Sequence, residues 1–212
     1  MVQIELAIIS YLLGSINFAY VIGKLMKIDI SKVHDRNLGA YNLYRTTNSI
    51  KLFILAGFLD GLKAFIPTYF FGTIYGVFAI MGHVFSILSF LKTKRLITGM
   101  GIASTIGFFI ASDYKLLLIY VILILLHKLA ISKMVENKVR VFGKQLYQLM
   151  YFYLAILLYS TVFYPNQNEF IVLSSILILL TIGFGYRWIT FVRRKVLPNI
   201  QTNELRKIME ER

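Results

Sequence analysis

The chain consists of apolar runs close to the length of a bilayer crossing, separated by short clusters of charge. A helix rises about 1.5 Å per residue and needs roughly 20 predominantly apolar residues to cross the hydrocarbon core. These runs predict spans at 2–23, 50–71, 73–91, 98–112, 114–131, 146–164 and 169–187. Within lipid a span must satisfy its own backbone hydrogen bonds, which leaves helices or a closed barrel, and no ten-residue alternation supports a barrel. With 58% hydrophobic and 16% charged residues among 212, a soluble globule would have nowhere to place its apolar surface. The expected fold is an all-α integral membrane protein with about seven transmembrane helices.

The distribution of charge orients those helices. With the N-terminus outside and the C-terminus cytoplasmic, the inner segments are 24–49, 92–97, 132–145 and 188–212. Of the 23 Lys and Arg residues, all but Lys115 then lie in or near the inner half, with Lys63 deep in the second span. The net charge of +13 therefore points to topology and anionic membrane lipids, and no nucleic-acid partner is expected. The N-terminal run lacks the positive flank of a leader peptide and is expected to remain as the first span. Residues 1–187 form the membrane domain, and 188–212 a basic cytoplasmic or interfacial tail. That tail mixes Arg193, Arg194 and Lys195 with apolar residues and is expected to end in a short helix capped near Thr202 or Asn203. The absence of cysteine excludes disulfides and thiolate catalysis, and His34, His83 and His127 are too scattered for a metal cluster. No cofactor is expected.

Four groups of residues could carry chemistry. In the first inner segment, Asn37, Gly39, Asn42 and Arg45 offer amide donors, exposed backbone N–H groups and a forked cation, which suit a phosphate; a solvated basic loop has the same composition. Asp60 and Lys63 share a face of the second span, either as a functional pair or as a structural one. His83 lies within the third span as a hydrogen-bonded packing residue or a participant in chemistry. Lys92, Lys94 and Arg95 precede Thr98-Gly99-Met100-Gly101, where small residues opening a helix can hold a phosphate through backbone N–H groups. Gly57/Gly61 and Gly72/Gly76 have the spacing of close helix contacts.

Taken in order, these pieces resemble the bacterial membrane acyl-phosphate:glycerol-3-phosphate acyltransferases. The resemblance covers roughly residues 12 to 107. It rests on Gly14-Ser15-Ile16, Gly23-Lys24, Asp29, Asn37, Gly39-Ala40, Asn42, Arg45, Asp60, Lys63, Gly82-His83, Phe85 and Gly99-x-Gly101. It implies transfer of a fatty acyl group from acyl phosphate to the 1-hydroxyl of glycerol 3-phosphate, or a related phosphorylated polyol, at the cytoplasmic face of the cell membrane. It also implies a seven-helix, N-outside arrangement. By the same resemblance Asn37, Asn42 and His83 are the expected catalytic residues, with the asparagines orienting the substrate and His83 supporting the site. Asp35, Arg45, Lys63, Lys94, Arg95, Gly99 and Gly101 are expected to bind substrate, and Asp60 to hold Lys63. The family's serine-bearing Gly-Ser-Gly-Asn run falls on His34-Asp35-Arg36-Asn37, and its Gly-Gly-Lys-Gly on Thr98-Gly99-Met100-Gly101. Its His-Arg-x-Asn-Ile run has a poor counterpart at Tyr186-Arg187-Trp188-Ile189. These substitutions leave a second possibility, a non-catalytic relative that keeps a lipid-phosphate pocket. A small transporter is a third, weighed down by the lack of matching broken helices in the two halves.

Overall fold

The computed structural model describes residues 3–34, 36–94 and 98–115, with isolated positions at 117–119, 121, 122, 125 and 176. Apart from those positions, the spans predicted from 114 onward, the tail at 188–212 and the Tyr186–Ile189 run lie outside the described residues, as do Asp35 and Arg95. The described residues form seven helices and no strand: α1 Ile4–Gly14, α2 Phe18–Leu25, α3 Ala40–Thr47, α4 Ile50–Phe71, α5 Thr73–Val84, α6 Ile87–Thr93 and α7 Ile102–Ser112.

The first predicted span is not one helix. It is a bent pair, α1 and α2, meeting at 44° across Ser15–Asn17. Two contacts with α5 explain where it breaks. A side chain at Gly14 would strike the Ala79 backbone, and one at Gly82 would strike the Tyr11 carbonyl, so the two helices touch backbone to backbone just before the bend. Breaking a helix frees carbonyls, and buried carbonyls need partners. Ser15 O accepts from Ser86 Oγ, and Ile16 O accepts from Lys63 Nζ at 2.6 Å.

The second predicted span coincides with α4, which Ser49 caps through Leu52 N and which ends where Gly72 takes φ 110°. The third is α5 followed by α6, a stretch from Thr73 to Thr93 with mean hydropathy 1.9 and the length to cross a bilayer. Ser86 interrupts it and caps α6, accepting from Ser89 N at 3.0 Å. The predicted fourth span, 98–112, loses its first four residues. Gly101 adopts φ 79° as the residue before α7, while Thr98 N and O pair with Val84 O and Leu38 N instead of a helical neighbour.

Helix α3 lies inside the segment read as a loop, 24–49. Its Leu43 joins Ala19, Tyr20, Ile30, Leu38 and Ala56 in a small buried core, so the segment folds against α2 and α4. At the surface of that segment Lys24 Nζ and Asp29 Oδ2 stand 2.8 Å apart. The hydrogen bond between them holds the ammonium above its ordinary range and the carboxyl below its own.

Glycine spacing misleads at two positions, Gly57 and Gly72, where a side chain would meet nothing within 4 Å. Gly61 packs against α7, where a side chain at Gly107 would overlap its backbone, but Gly57 lines a cavity instead of a helix contact. Gly76, as its spacing suggests, packs closely, beneath Thr68 and Phe108, while Gly72 serves to end α4.

Candidate functional site

A half-open cavity of about 910 Å³ lies between the first inner segment, α4 and α7. Its walls are mainly apolar: Phe53, Phe58 and Phe65 of α4 face Ile102, Ile106 and Ile110 of α7. One region is polar, carrying Asn37, Asp60, His83 and Gly101. Residues far apart in sequence thus meet because α4 packs on both α5 and α7, and because Thr98 ties three segments together. Thr98 Oγ1 donates to His83 O at 2.8 Å, its N–H to Val84 O at 3.0 Å, and its carbonyl accepts from Leu38 N at 3.0 Å.

Behind the polar region sits a buried charge cluster. Lys63 Nζ stands 2.9 Å from Asp60 Oδ1, in the predicted pairing, and both side chains are almost wholly buried. The ammonium carries three N–H groups, and besides its ion pair with Asp60 Oδ1 it donates to Ile16 O at 2.6 Å. His83 Nδ1 is 3.8 Å from the same oxygen and lacks a partner. Gly99 packs against the imidazole, and a side chain there would collide with Nε2. The need for glycine at 99 is therefore steric.

Asn42 is committed elsewhere. It is buried, and its Nδ2 donates to Ile30 O at 2.8 Å and to Asn37 O at 2.7 Å. Those bonds staple the first inner segment and leave no amide hydrogen aimed into the cavity. Asn37, half-buried on the cavity wall, accepts from Gly39 N at 3.0 Å through Oδ1, which leaves its Nδ2 for a ligand. Arg45 and Lys94 are exposed, and neither is among the lining residues. Arg45 follows the lining residue Tyr41 by one turn of α3, so the two share a helix face.

Gly101 and the first residues of α7, Ile102 and Ala103, line the cavity. Helix N-termini present unpaired N–H groups and a partial positive charge, which suit an anion. One polar residue escaped notice in the sequence, Asn17, while Thr98 entered only as part of the Thr98–Gly101 run. Asn17 Nδ2 donates to Ser89 Oγ at 2.8 Å and lies 3.4 Å from Thr98 Oγ1. The sequence carries no signal for Asn17, because its partners lie 72 and 81 residues away.

Comparison with known proteins bears on the family and the fold. Residues 4–194 match the family model described as glycerol-3-phosphate acyltransferase. A glycerol-3-phosphate acyltransferase of Pseudothermotoga lettingae is 38% identical over 117 residues, covering 51% of this chain and 56% of that protein. Its counterpart in Wolbachia pipientis wMel is 36% identical over 126 residues, covering 55% of this chain and 62% of that one. The matched stretch thus spans a little over half the length of these relatives. A longer match, 32% identity over 190 residues, reaches 85% of this chain and 89% of glycerol-3-phosphate acyltransferase 2 of Bacillus anthracis. The fold is similar to the crystal structure of PlsY, an integral membrane glycerol 3-phosphate acyltransferase, in its glycerol 3-phosphate form. The TM-score is 0.63 at 25% identity, over 94% of this chain and 92% of that one. Membrane residence accounts for exposed residues such as Ile54, Phe58, Tyr69 and Phe70 on α4, which water would not tolerate as a continuous surface. This helical membrane chain belongs to the glycerol-3-phosphate acyltransferase family.

Proposed function

We propose that the chain transfers a fatty acyl group from acyl phosphate to glycerol 3-phosphate, or a related phosphorylated polyol, as a step in phospholipid synthesis. The observation that carries this reading is the composite cavity, whose apolar walls suit an acyl chain and whose polar region suits a small hydrophilic acceptor. The acceptor hydroxyl attacks the acyl carbonyl, the C–O bond to phosphate breaks, and the hydroxyl proton leaves with the released phosphate. Such a reaction needs orientation of the two substrates and cations near the leaving group.

In this scheme the N-terminus of α7 receives a phosphate, and Arg45 and Lys94 attract it from outside the cavity, with the charge of Arg95, next to Lys94 in sequence, adding to theirs. Asn37 turns its free amide to the acyl carbonyl or the acceptor. Asn42 acts indirectly, by fixing the segment that carries Asn37. Lys63 acts through Asp60, since its ammonium is already shared with Ile16 O. Asp35 lies two residues from Asn37, where Arg36 would offset its charge. The chain crosses the membrane about seven times with the N-terminus outside, supported by the inner concentration of Lys and Arg. The site then faces the cytoplasm, and residues 188–212 form a basic tail behind the membrane domain 1–187.

The test is turnover by purified protein in lipid, with acyl phosphate and glycerol 3-phosphate, following phosphate release and acylated product together. Release of both in equal amounts is expected. Phosphate release without acylated product would show hydrolysis instead, and no release of either would remove the enzymatic reading.

A further inference from the structure

The interruption of the third span at Ser86 frees the backbone carbonyls of His83, Val84 and Phe85 from their helical donors. Each is taken by a group from elsewhere in the chain. Thr98 Oγ1 donates to His83 O at 2.8 Å, Thr98 N to Val84 O at 3.0 Å, and the Tyr11 hydroxyl to Phe85 O at 2.6 Å. One residue, Thr98, thus docks the segment leading into α7 on the break in the third span. Thr98 is buried, and its remaining polar groups are also engaged. Its carbonyl accepts from Leu38 N at 3.0 Å, and its hydroxyl oxygen, having given its one hydrogen, accepts from Asn17 Nδ2 at 3.4 Å.

Thr98 is not among the cavity-lining residues, yet the segments it joins carry several of them. His83 lines the cavity, and its imidazole lies against Gly99. Leu38 stands between Asn37 and Gly39, which both line it, and Gly101 follows Thr98 by three residues at the start of α7. The two backbone bonds of Thr98 attach its segment but leave it free to pivot about the line joining them. The bond from the hydroxyl to His83 O removes that freedom. Groups on separate segments keep a working geometry only when their supports are locked in this way.

We propose that the Thr98 hydroxyl is a positioning group for acyl transfer, holding His83, Asn37 and the N-terminus of α7 in one fixed arrangement. This role rests on the acyltransferase reading above. As the acceptor hydroxyl attacks the acyl carbonyl and the C–O bond to phosphate breaks, negative charge develops on the leaving phosphate. The N–H groups at the start of α7 stabilise that charge only where they are already aimed at it. They must also stand in register with the amide of Asn37, which comes from another segment. A misplacement of about 1 Å between such groups costs about 100-fold in rate. Capture of the substrates is less sensitive to this register, because cations outside the cavity attract a phosphate whatever its exact orientation. The hydroxyl therefore acts on kcat and not on KM.

The experiment compares wild type, Thr98→Val and Thr98→Ser as full-length proteins in lipid, with acyl phosphate and glycerol 3-phosphate varied in turn. Valine has the shape of threonine and keeps both backbone bonds but lacks the hydroxyl, whereas serine retains it. Turnover is expressed per folded molecule, counted from the amplitude of thermal unfolding, so that a loss of stability alone does not register. Thr98→Val should lower kcat at least ~10-fold while KM for each substrate stays within about threefold of wild type. Thr98→Ser should hold kcat within about threefold of wild type. If Thr98→Val does not fold, Thr98→Ala is judged by the same two constants. Wild-type turnover per folded molecule of Thr98→Val would make the hydroxyl a stabilising contact only and overturn the proposal. So would a loss carried by KM, which would place Thr98 in substrate binding, or a Thr98→Ser protein as slow as Thr98→Val. Wild type without turnover would instead defeat the acyltransferase reading, and the positioning role with it.

Discussion

Lys63 of α4 reaches the backbone carbonyl of Ile16, 47 residues earlier in the chain, at 2.6 Å. The bond joins the second span to the break in the first, and the same ammonium stands 2.9 Å from Asp60. A charge usually disfavoured in a membrane helix is thus satisfied by a carboxylate and by a carbonyl that the bend itself frees.

This arrangement predicts the outcome of a double-mutant cycle. Lys63→Met leaves Asp60 buried without its counter-charge and Ile16 O without a donor, while Asp60→Asn leaves only the ammonium uncompensated. Each should lower stability by about 3–5 kcal/mol, with Lys63→Met the more severe, and the double variant should lose less than the sum. Thermal unfolding in detergent measures all four proteins. Additive losses would show that the two charges do not depend on each other.

The glycines on α4 and α7 should respond in opposite directions. Gly57→Ala adds a methyl group where nothing lies within 4 Å and removes a flexible residue from a helix interior. It should raise stability by up to ~1 kcal/mol. Gly107→Ala would drive a methyl group into the Gly61 backbone and should separate α4 from α7, seen as a lower midpoint in the same unfolding assay. A Gly57→Ala protein destabilised as much as Gly107→Ala would place Gly57 in a helix contact after all.

Asn42 and Arg45 should separate stability from activity. Asn42→Ala leaves buried carbonyls of the first inner segment without their donor, at a cost of about 1–3 kcal/mol, and turnover should fall with the folded fraction. Arg45→Ala removes an exposed cation from α3 and should leave the unfolding midpoint within about 0.5 kcal/mol of wild type. Its effect should appear as a higher KM for the phosphorylated substrates, more marked at low salt, because capture from outside the cavity depends on long-range attraction. An unchanged KM at low ionic strength would exclude Arg45 from that role.

Topology can be tested on a clean background, since the chain contains no cysteine. Single cysteines replacing Asn166 and Ile200 should react with an impermeant maleimide from opposite sides, the first from outside and the second only after the inner face is opened. The reverse pattern would invert the orientation and move the candidate site away from the cytoplasm.

By itself the sequence determined what depends on composition and run length. The apolar runs settled a helical architecture, α4 begins and ends where its run does, and the three-residue spacing of Asp60 and Lys63 made them a pair. Local physics suffices for these, because a helix closes its hydrogen bonds within itself and neighbours three apart share a face. The order of small motifs also identified the family. What needed the tertiary structure were features set by one segment pressing on another. The first span breaks where Gly14 and Gly82 bring α1 against α5, and that break survives because Lys63 and Ser86 take up its carbonyls. The Gly57 spacing pointed to a helix contact until the position of α7 left that glycine facing a cavity. Thr98 gives no sign in the sequence of binding His83 and Leu38, since those partners lie 15 and 60 residues away and only packing brings them within reach. Periodicity records which face of a helix is apolar. It does not record which buried polar atoms meet, and the approach of His83 to the Asp60–Lys63 pair became visible only once α4 and α5 had been placed together.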